Sequence, residues 1–276
     1  MNWINQLFSD FKYRLLRFQY ILIVPITILC CMSCQSQVPD VPIACNWIDY
    51  WLFIFKGTIP LKHQSPGQEM AFPTLWVLVM SCHQYINLEY IVSNLNSIGQ
   101  QRLVRQKKRS IWFLNKCFGC MFSCLLYFTL IGCTISVYVT ATGGALTLTN
   151  TPEITLAIYN DILFEPISIP PHRAVMASII IPFLTILAFG ILQTILSIKY
   201  KPITSFMVCL SIQLLSVNVQ SPYLLGNGAM VTRSAYIMPD GMNPGIVIWT
   251  TIISLFACVY IGNSVFNSVD ILWTPE

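Results

Sequence analysis

The sequence predicts an all-α, polytopic membrane protein with about six transmembrane helices, and three observations carry that expectation. Hydrophobic residues fill 55% of the 276 positions and charged residues 9%, where soluble domains average about 25% charged. The apolar residues gather in runs that approach or exceed the roughly 20 helical residues needed to cross a hydrocarbon core. Five basic side chains, Arg102, Arg105, Lys107, Lys108 and Arg109, crowd between two of those runs, and Lys and Arg near span ends set orientation in a bilayer. The net charge is only +4, in patches flanking apolar runs. Those patches read as topology signals, and no nucleic-acid partner is expected.

From the start of the chain, Trp3, Leu7, Phe11, Leu15 and Phe18 follow a helical apolar rhythm, with Lys12 and Arg17 elsewhere on the wheel. Residues 1–18 are therefore expected to lie as an interfacial helix along the headgroups. The first span covers about 19–37. Its cysteines follow an apolar core as at a lipoprotein cleavage site, but the residues before Cys31 and Cys34 are not the small pair such processing favours, and the span is expected to stay. A proline-bearing outer loop follows, containing the aromatic piece Cys45 to Phe55. That piece is too short to span and is expected at the outer headgroup level, where amphipathic rings are favoured.

The second span covers about 71–91 and carries His83, Gln84, Asn87 and Glu89. His83 and Asn87 share a helical face with Tyr90. That face looks into the protein, either as a transport-path lining or as a hydrogen-bonded helix contact, and packing is the preferred reading. The third span, about 111–142, exceeds the required length and is broken by Gly143 and Gly144. Next comes an outer loop with an amphipathic stretch from Ile154 to Phe164. The fourth and fifth spans, about 174–198 and 203–223, are separated by a short turn with Lys199 and Lys201, and the sixth covers about 245–266. The whole chain reads as one transmembrane domain.

Both termini are expected on the cytoplasmic side. That topology puts eleven of the 15 basic residues inside: Lys12, Arg14, Arg17, the five from Arg102 to Arg109, Lys116, Lys199 and Lys201. Only Lys56, Lys62, Arg173 and Arg233 fall outside, and inverting the chain would reverse the bias. A multi-pass protein of the plasma membrane, contacting lipid along its spans, is the expectation.

The sequence contains no phosphate loop, HExxH or GxSxG, and its histidines are His63, His83 and His172. No catalytic, cofactor or metal residue is assigned. Cys117, Cys120 and Cys124 share a helical face, but closing ligands for a four-coordinate site are absent nearby. The eleven cysteines mostly fall inside spans and suggest no disulfide framework.

With an amphipathic start, six spans, a large first outer loop and the stretch GQQRLVRQKKRSIWFLNK from Gly99 to Lys116, the chain resembles an ABC-2-type transporter permease of Gram-positive type. The basic inner loop is similar to Gly-x-x-Leu-x-Arg loops of such permeases, although Ser110 follows the basic core where the family pattern has Ser before Arg. The resemblance implies a subunit without its own ATPase site. It would work beside a separate ABC ATPase subunit that uses ATP and a second permease subunit, identical or homologous, exporting a peptide or another amphiphile. Leu103, Arg102, Arg105 and Arg109 would form the loop that couples the ATPase to the spans.

Two other classes stay open. A membrane-embedded enzyme would use Asp161, Glu165 and His172, which cluster in one outer loop; a peptide-binding immunity or sensor protein would use the aromatic and proline-rich outer loops. In a chain freed of native cysteines, a cysteine at Lys107 is expected to resist impermeant thiol reagents in intact cells and one at Asn227 to react. Strong labelling at Lys107 in sealed cells would overturn the orientation.

Overall fold

The structure is a computed structural model that describes residues 18–38, 44–60, 72–88, 109–238 and 240–268. The amphipathic start before Phe18, the basic loop up to Lys108 and the last eight residues lie outside them. Every regular element among the described residues is helical: α1 Phe18–Ser36, α2 Trp47–Ile54, α3 Thr74–Asn87, α4 Arg109–Ala141, α5 Pro152–Ile158, α6 Pro171–Lys199, α7 Pro202–Asn218, the turn α8 Leu225–Gly228, and α9 Pro244–Ser268. Four of them, α1, α4, α6 and α9, are long and apolar enough to cross a membrane. α7 has 17 residues and α3 has 14, both short of the roughly 20 that a straight crossing takes.

Local chemistry explains the boundaries. Pro152, Pro171, Pro202 and Pro244 open their helices, where a missing N–H leaves no intrahelical bond unmade. α4 runs 33 residues without proline and stops where Gly143 takes φ 78°, a left-handed conformation that costs glycine little. α6 passes through a π turn at Met176–Ile180 just before Pro182. The proline ring would clash with the carbonyl four residues back, and the wider turn relieves that crowding.

α6 is the axis of the bundle. Of its most apolar window 61% is buried, against 17% for α9, so α9 lies at the periphery with Trp249, Phe256 and Tyr260 exposed. Close approach depends on small residues. A Cβ on Gly190 of α6 would overlap the Cys120 sulfur of α4, and one on Gly262 of α9 would overlap Phe113 and Ile195. Small residues of this kind let membrane helices pack at short range. Trp112 and Phe266 stack 4.8 Å apart, fixing the start of α4 to the end of α9.

Ser36, α2, α5 and α8 gather at one end of the bundle, here termed the loop end. The aromatic piece forms the short helix α2 and is packed into the protein. Tyr50, Trp51, Phe53 and Phe55 are buried, with Trp51 and Phe55 stacking on Phe128 of α4 at 5.7 and 5.9 Å. Trp47 donates its indole N–H to Ser136 Oγ at 3.0 Å. Aromatic pairs of this kind are each worth about 0.5–1.5 kcal/mol beyond area burial, and Phe128 of α4 supplies the partner ring.

The segment after α7 also differs from expectation. Expected as an exposed outer loop from Leu224 to Asn243, it folds inward, and Asn227, Thr232 and Arg233 are fully buried. The Arg233 guanidinium donates to the carbonyls of Ser216, Val217 and Val219, to that of Thr58 at 3.2 Å, and to Asn227 Oδ1. These are the last carbonyls of α7, where the helix dipole favours a cation; α7 accordingly ends at Asn218 and does not reach Tyr223. Burial lowers the Arg233 pKa to about 10, leaving it charged at neutral pH. The outer arm of the labelling experiment therefore belongs at Tyr223, which is 78% exposed.

Replacing Arg233 by Met should leave these carbonyls unpaired at a cost on the order of 3 kcal/mol. That is a melting temperature roughly 6–12 °C lower for a chain of this size, measured by tryptophan fluorescence in detergent. Arg233→Lys should fall between, since an ammonium lacks the fork. A wild-type melting curve for the Met variant would show that the guanidinium does not close this end.

Candidate functional site

Polar side chains occur at three levels of the bundle. At mid-bundle, His83 and Asn87 occupy successive turns of α3 and are buried. Asn87 Nδ2 donates to the His83 carbonyl at 2.9 Å and lies 3.1 Å from its Nε2. Ser123 Oγ of α4 donates to Asn87 Oδ1 at 3.3 Å, and Tyr20 OH lies 2.7 Å from the same Ser123 hydroxyl. The His83 ring stands edge-on to Tyr127 at 5.2 Å, and Tyr127 OH donates to the Val79 carbonyl at 2.7 Å. Both residues named as possible path-facing groups thus form a hydrogen-bonded contact joining α1, α3 and α4.

On the neighbouring faces, pairing is incomplete. Gln193 of α6 donates to the Gln84 carbonyl at 3.0 Å. Its own Oε1, both side-chain polar atoms of Gln84 and Gln213, and Thr185 Oγ1 are buried with no hydrogen-bond partner. Each such atom costs about 1–3 kcal/mol in a protein interior, and more polar groups at bilayer depth are retained where they serve a path than where they do not. Sequence reading noted Gln84 but passed over Gln193 and Gln213. The available signal was a glutamine inside an otherwise apolar helical run.

At the loop end, a cavity of about 280 Å³ opens between the end of α1, the residues following α2 and the start of α3; Gln37, Lys56, Thr58, Trp76, Asp161 and Thr232 are among its walls. Trp76 is fixed by an indole N–H donated to the Ala229 carbonyl at 2.9 Å. The Lys56 ammonium lies 6.0 Å from the centroid of the Tyr159 ring. Burial pulls the Lys56 pKa below its usual range, and the nearby Asp161 carboxylate pulls it partly back. Asp161, Glu165 and His172, the residues of the enzyme alternative, are all exposed, and no hydrogen bond joins them.

Of the expected coupling residues, Arg102, Leu103 and Arg105 lie outside the described residues. Arg109 opens α4 and donates to the Asn267 carbonyl of α9 at 3.4 Å, while Asn267 Nδ2 donates to Ser110 Oγ at 3.3 Å. Lys116, two turns on, is buried with its ammonium 4.9 Å from the Trp112 ring. Two of the α4 cysteines face α6: Cys124 Sγ lies 3.6 Å from the Phe183 carbonyl, and Cys120 abuts Gly190. No group of three or more His, Cys, Asp or Glu side chains suited to a metal ion occurs among the described residues.

Asp49 joins α2 to α5 at the loop end. Its carboxylate accepts the backbone N–H of Asn46 at 2.9 Å and that of Thr151 at 3.1 Å. Burial outweighs those bonds and raises its pKa from 3.8 to about 6. Between those two values the folded state binds more protons than the unfolded one. Its contribution to stability is therefore complete below about pH 3.8 and lost as pH rises through 6. Melting in detergent is expected to weaken from pH 5 to 7.5 by about 1.4 kcal/mol from this group, and Asp49→Asn should flatten that slope. An unchanged slope in the Asn variant would assign the pH response elsewhere.

Comparison with protein-family models, curated proteins and solved structures yields no match, so the functional reading rests on the chemistry of this chain.

Proposed function

We propose that this chain is the membrane-spanning permease subunit of an ABC transporter of the plasma membrane. It would pair with a separate ABC ATPase subunit and with a second permease subunit, identical or homologous, and export a peptide or another amphiphile. The observation that carries the reading is the set of buried amide atoms without a hydrogen-bond partner, both on Gln84, both on Gln213 and the Oε1 of Gln193, on three helices that pack together in an apolar bundle. A purely structural bundle gains nothing from such groups, because apolar side chains of the same shape would be more stable there. A path for a solute carrying amide or hydroxyl groups gives them partners during passage.

The coupling role of the basic loop has a mechanical basis. Arg109 and Ser110 bond to Asn267, Trp112 stacks on Phe266, and Gly262 admits Phe113 and Ile195. A displacement applied to residues 102–108 would reach α4 directly and α9 through this clamp, and α6 through Ile195. Leu103 would anchor in the ATPase surface and Arg102 and Arg105 would pair with its acidic groups, so ATP hydrolysis in the partner would be converted into helix movement.

The test compares two double variants. Replacing Leu103 and Arg105 by Ala should abolish co-purification of the ATPase, or uncouple substrate-stimulated hydrolysis in vesicles at least tenfold, while membrane insertion stays intact. Replacing Lys107 and Lys108 should instead perturb orientation or headgroup contact, since adjacent like charges suit a lipid-facing patch. Wild-type coupling in the Leu103/Arg105 variant would remove the docking role and leave the loop as a topology signal.

A further inference from the structure

The loop-end cavity carries two opposite charges that do not meet. Lys56, just after α2, and Asp161, in the turn after α5, both line its volume of about 280 Å³. No ion pair joins them. The half-buried Lys56 ammonium donates no hydrogen bond among the described residues, and the exposed Asp161 carboxylate accepts none. The fold holds both groups in place. Tyr159, whose ring centroid lies 6.0 Å from the Lys56 ammonium, donates its hydroxyl to the Leu52 carbonyl of α2 at 2.8 Å. Its own carbonyl accepts the N–H groups of Ile162 and Leu163, each at 2.8 Å, so one residue fixes the Asp161 turn against α2. The backbone of Lys56 is bonded on both sides, to the Phe53 carbonyl at 3.0 Å and from the Thr232 N–H at 3.1 Å.

We propose that this cavity binds a small zwitterion, a molecule carrying an anionic group and an ammonium on an apolar body, as a free apolar amino acid does. The anionic group meets Lys56, the ligand ammonium meets Asp161, and the apolar body lies against Phe72 and Trp76, which also line the cavity. Trp76 is a fixed surface, because its indole N–H is committed to the Ala229 carbonyl at 2.9 Å. Sites for small molecules are built in this way, with apolar walls and a few placed polar groups that set orientation.

The separation of the charges is what favours a ligand with two. A half-buried ammonium has lost part of its hydration and gained no protein acceptor in return; a ligand carboxylate supplies one, in a charge-assisted bond about twice as strong as a neutral one. A contact pair between Lys56 and Asp161 would satisfy both groups without a ligand, whereas the gap leaves each able to bond. A solute with one charge answers one of them and brings the other no partner, so it is discriminated against. Drug-sized ligands occupy roughly 300–1,000 Å³, and this smaller volume suits a molecule the size of an amino acid. The ethanolamine phosphate headgroup of a lipid carries the same two charges. The site is made by this chain alone and needs no ATPase, so it stands or falls apart from the permease reading.

The purified full-length chain in nonionic detergent is dialysed to equilibrium against radiolabelled leucine, and saturable binding is expected. N-acetylleucine, which lacks the ammonium, and leucine methyl ester, which lacks the carboxylate, should each compete more weakly than leucine by roughly tenfold or more. Lys56→Met and Asp161→Asn should weaken leucine binding by a similar factor. Asp161 is exposed, so its variant should melt as the wild type does and keeps the test valid if Lys56→Met misfolds. Glu165→Gln, on an exposed neighbour that does not line the cavity, should bind leucine normally. Vesicles distinguish the two sources of the zwitterion. Leucine binding suppressed by phosphatidylethanolamine but not by phosphatidylglycerol, with glycerophosphoethanolamine competing in detergent, assigns the site to a lipid headgroup; equal binding in both vesicles assigns it to a free solute. Absence of saturable binding of both leucine and glycerophosphoethanolamine overturns the site. So does equal competition by the singly charged analogues, or wild-type affinity in Asp161→Asn.

Discussion

A single guanidinium closes the loop end, and much of the surrounding structure follows from its demand for acceptors. Arg233 is buried and among the described residues has no carboxylate partner; its donors are spent on the end of α7, on Thr58 and on the Asn227 side chain. A charge in that position is tolerable only when each N–H is answered, because desolvation of an unanswered one costs several kcal/mol. The answer requires α7 to stop at Asn218, the chain after α8 to turn inward, and the strand-like stretch after α2 to run past it. Backbone bonds from Val231 to the Phe55 carbonyl at 2.8 Å and from Thr232 to that of Lys56 at 3.1 Å record the same convergence. Thr58 and Thr232, two of the cavity's wall residues, belong to this convergence.

Polar groups are treated differently at the two depths of the protein. At the loop end nearly every one has a partner: Asp49 bonds Asn46 and Thr151, Asn150 accepts the Ile169 N–H at 2.8 Å, and Tyr159 OH donates to the Leu52 carbonyl at 2.8 Å. In the bundle the contact made by His83, Asn87 and Ser123 is paired, and the glutamines beside it are not. The contrast separates groups that hold helices together from groups that make no hydrogen bond, and under the proposed function the latter would meet the solute. A cap or a turn has fixed needs that folding can meet, whereas a path for a solute keeps its donors and acceptors uncommitted.

The opposite end of the bundle has the simpler chemistry of a clamp. Stacking of Trp112 on Phe266, with Gly262 allowing Phe113 to approach, makes α4 and α9 one mechanical unit where the basic loop enters. Rigid elements of this sort transmit displacement because packed cores are bistable and do not deform continuously. α9 is otherwise the least enclosed of the long helices; it packs along α6, and the clamp joins its end to the start of α4.

The long helices were legible in the sequence. Expected limits of about 19–37, 111–142, 174–198 and 245–266 fall within a few residues of α1, α4, α6 and α9, since apolar run length, opening prolines and the Gly143–Gly144 stop are local signals. The segment of α2 was also foreseen as too short to span. Its packing partners were not, because hydropathy cannot say which ring an aromatic side chain will stack on, and Trp51 and Phe55 meet Phe128 of α4. His83 and Asn87 were recognised as inward-facing from their spacing, yet their partners Ser123 and Tyr20 come from other helices. The inward fold of Arg233 and the meeting of Gln84 with Gln193 were decided by tertiary structure alone. Arg233 and Thr58 are 175 positions apart and Gln193 and Gln84 are 109. Sequence periodicity fixes which face a side chain occupies, but it carries no information about which distant acceptor that face will meet.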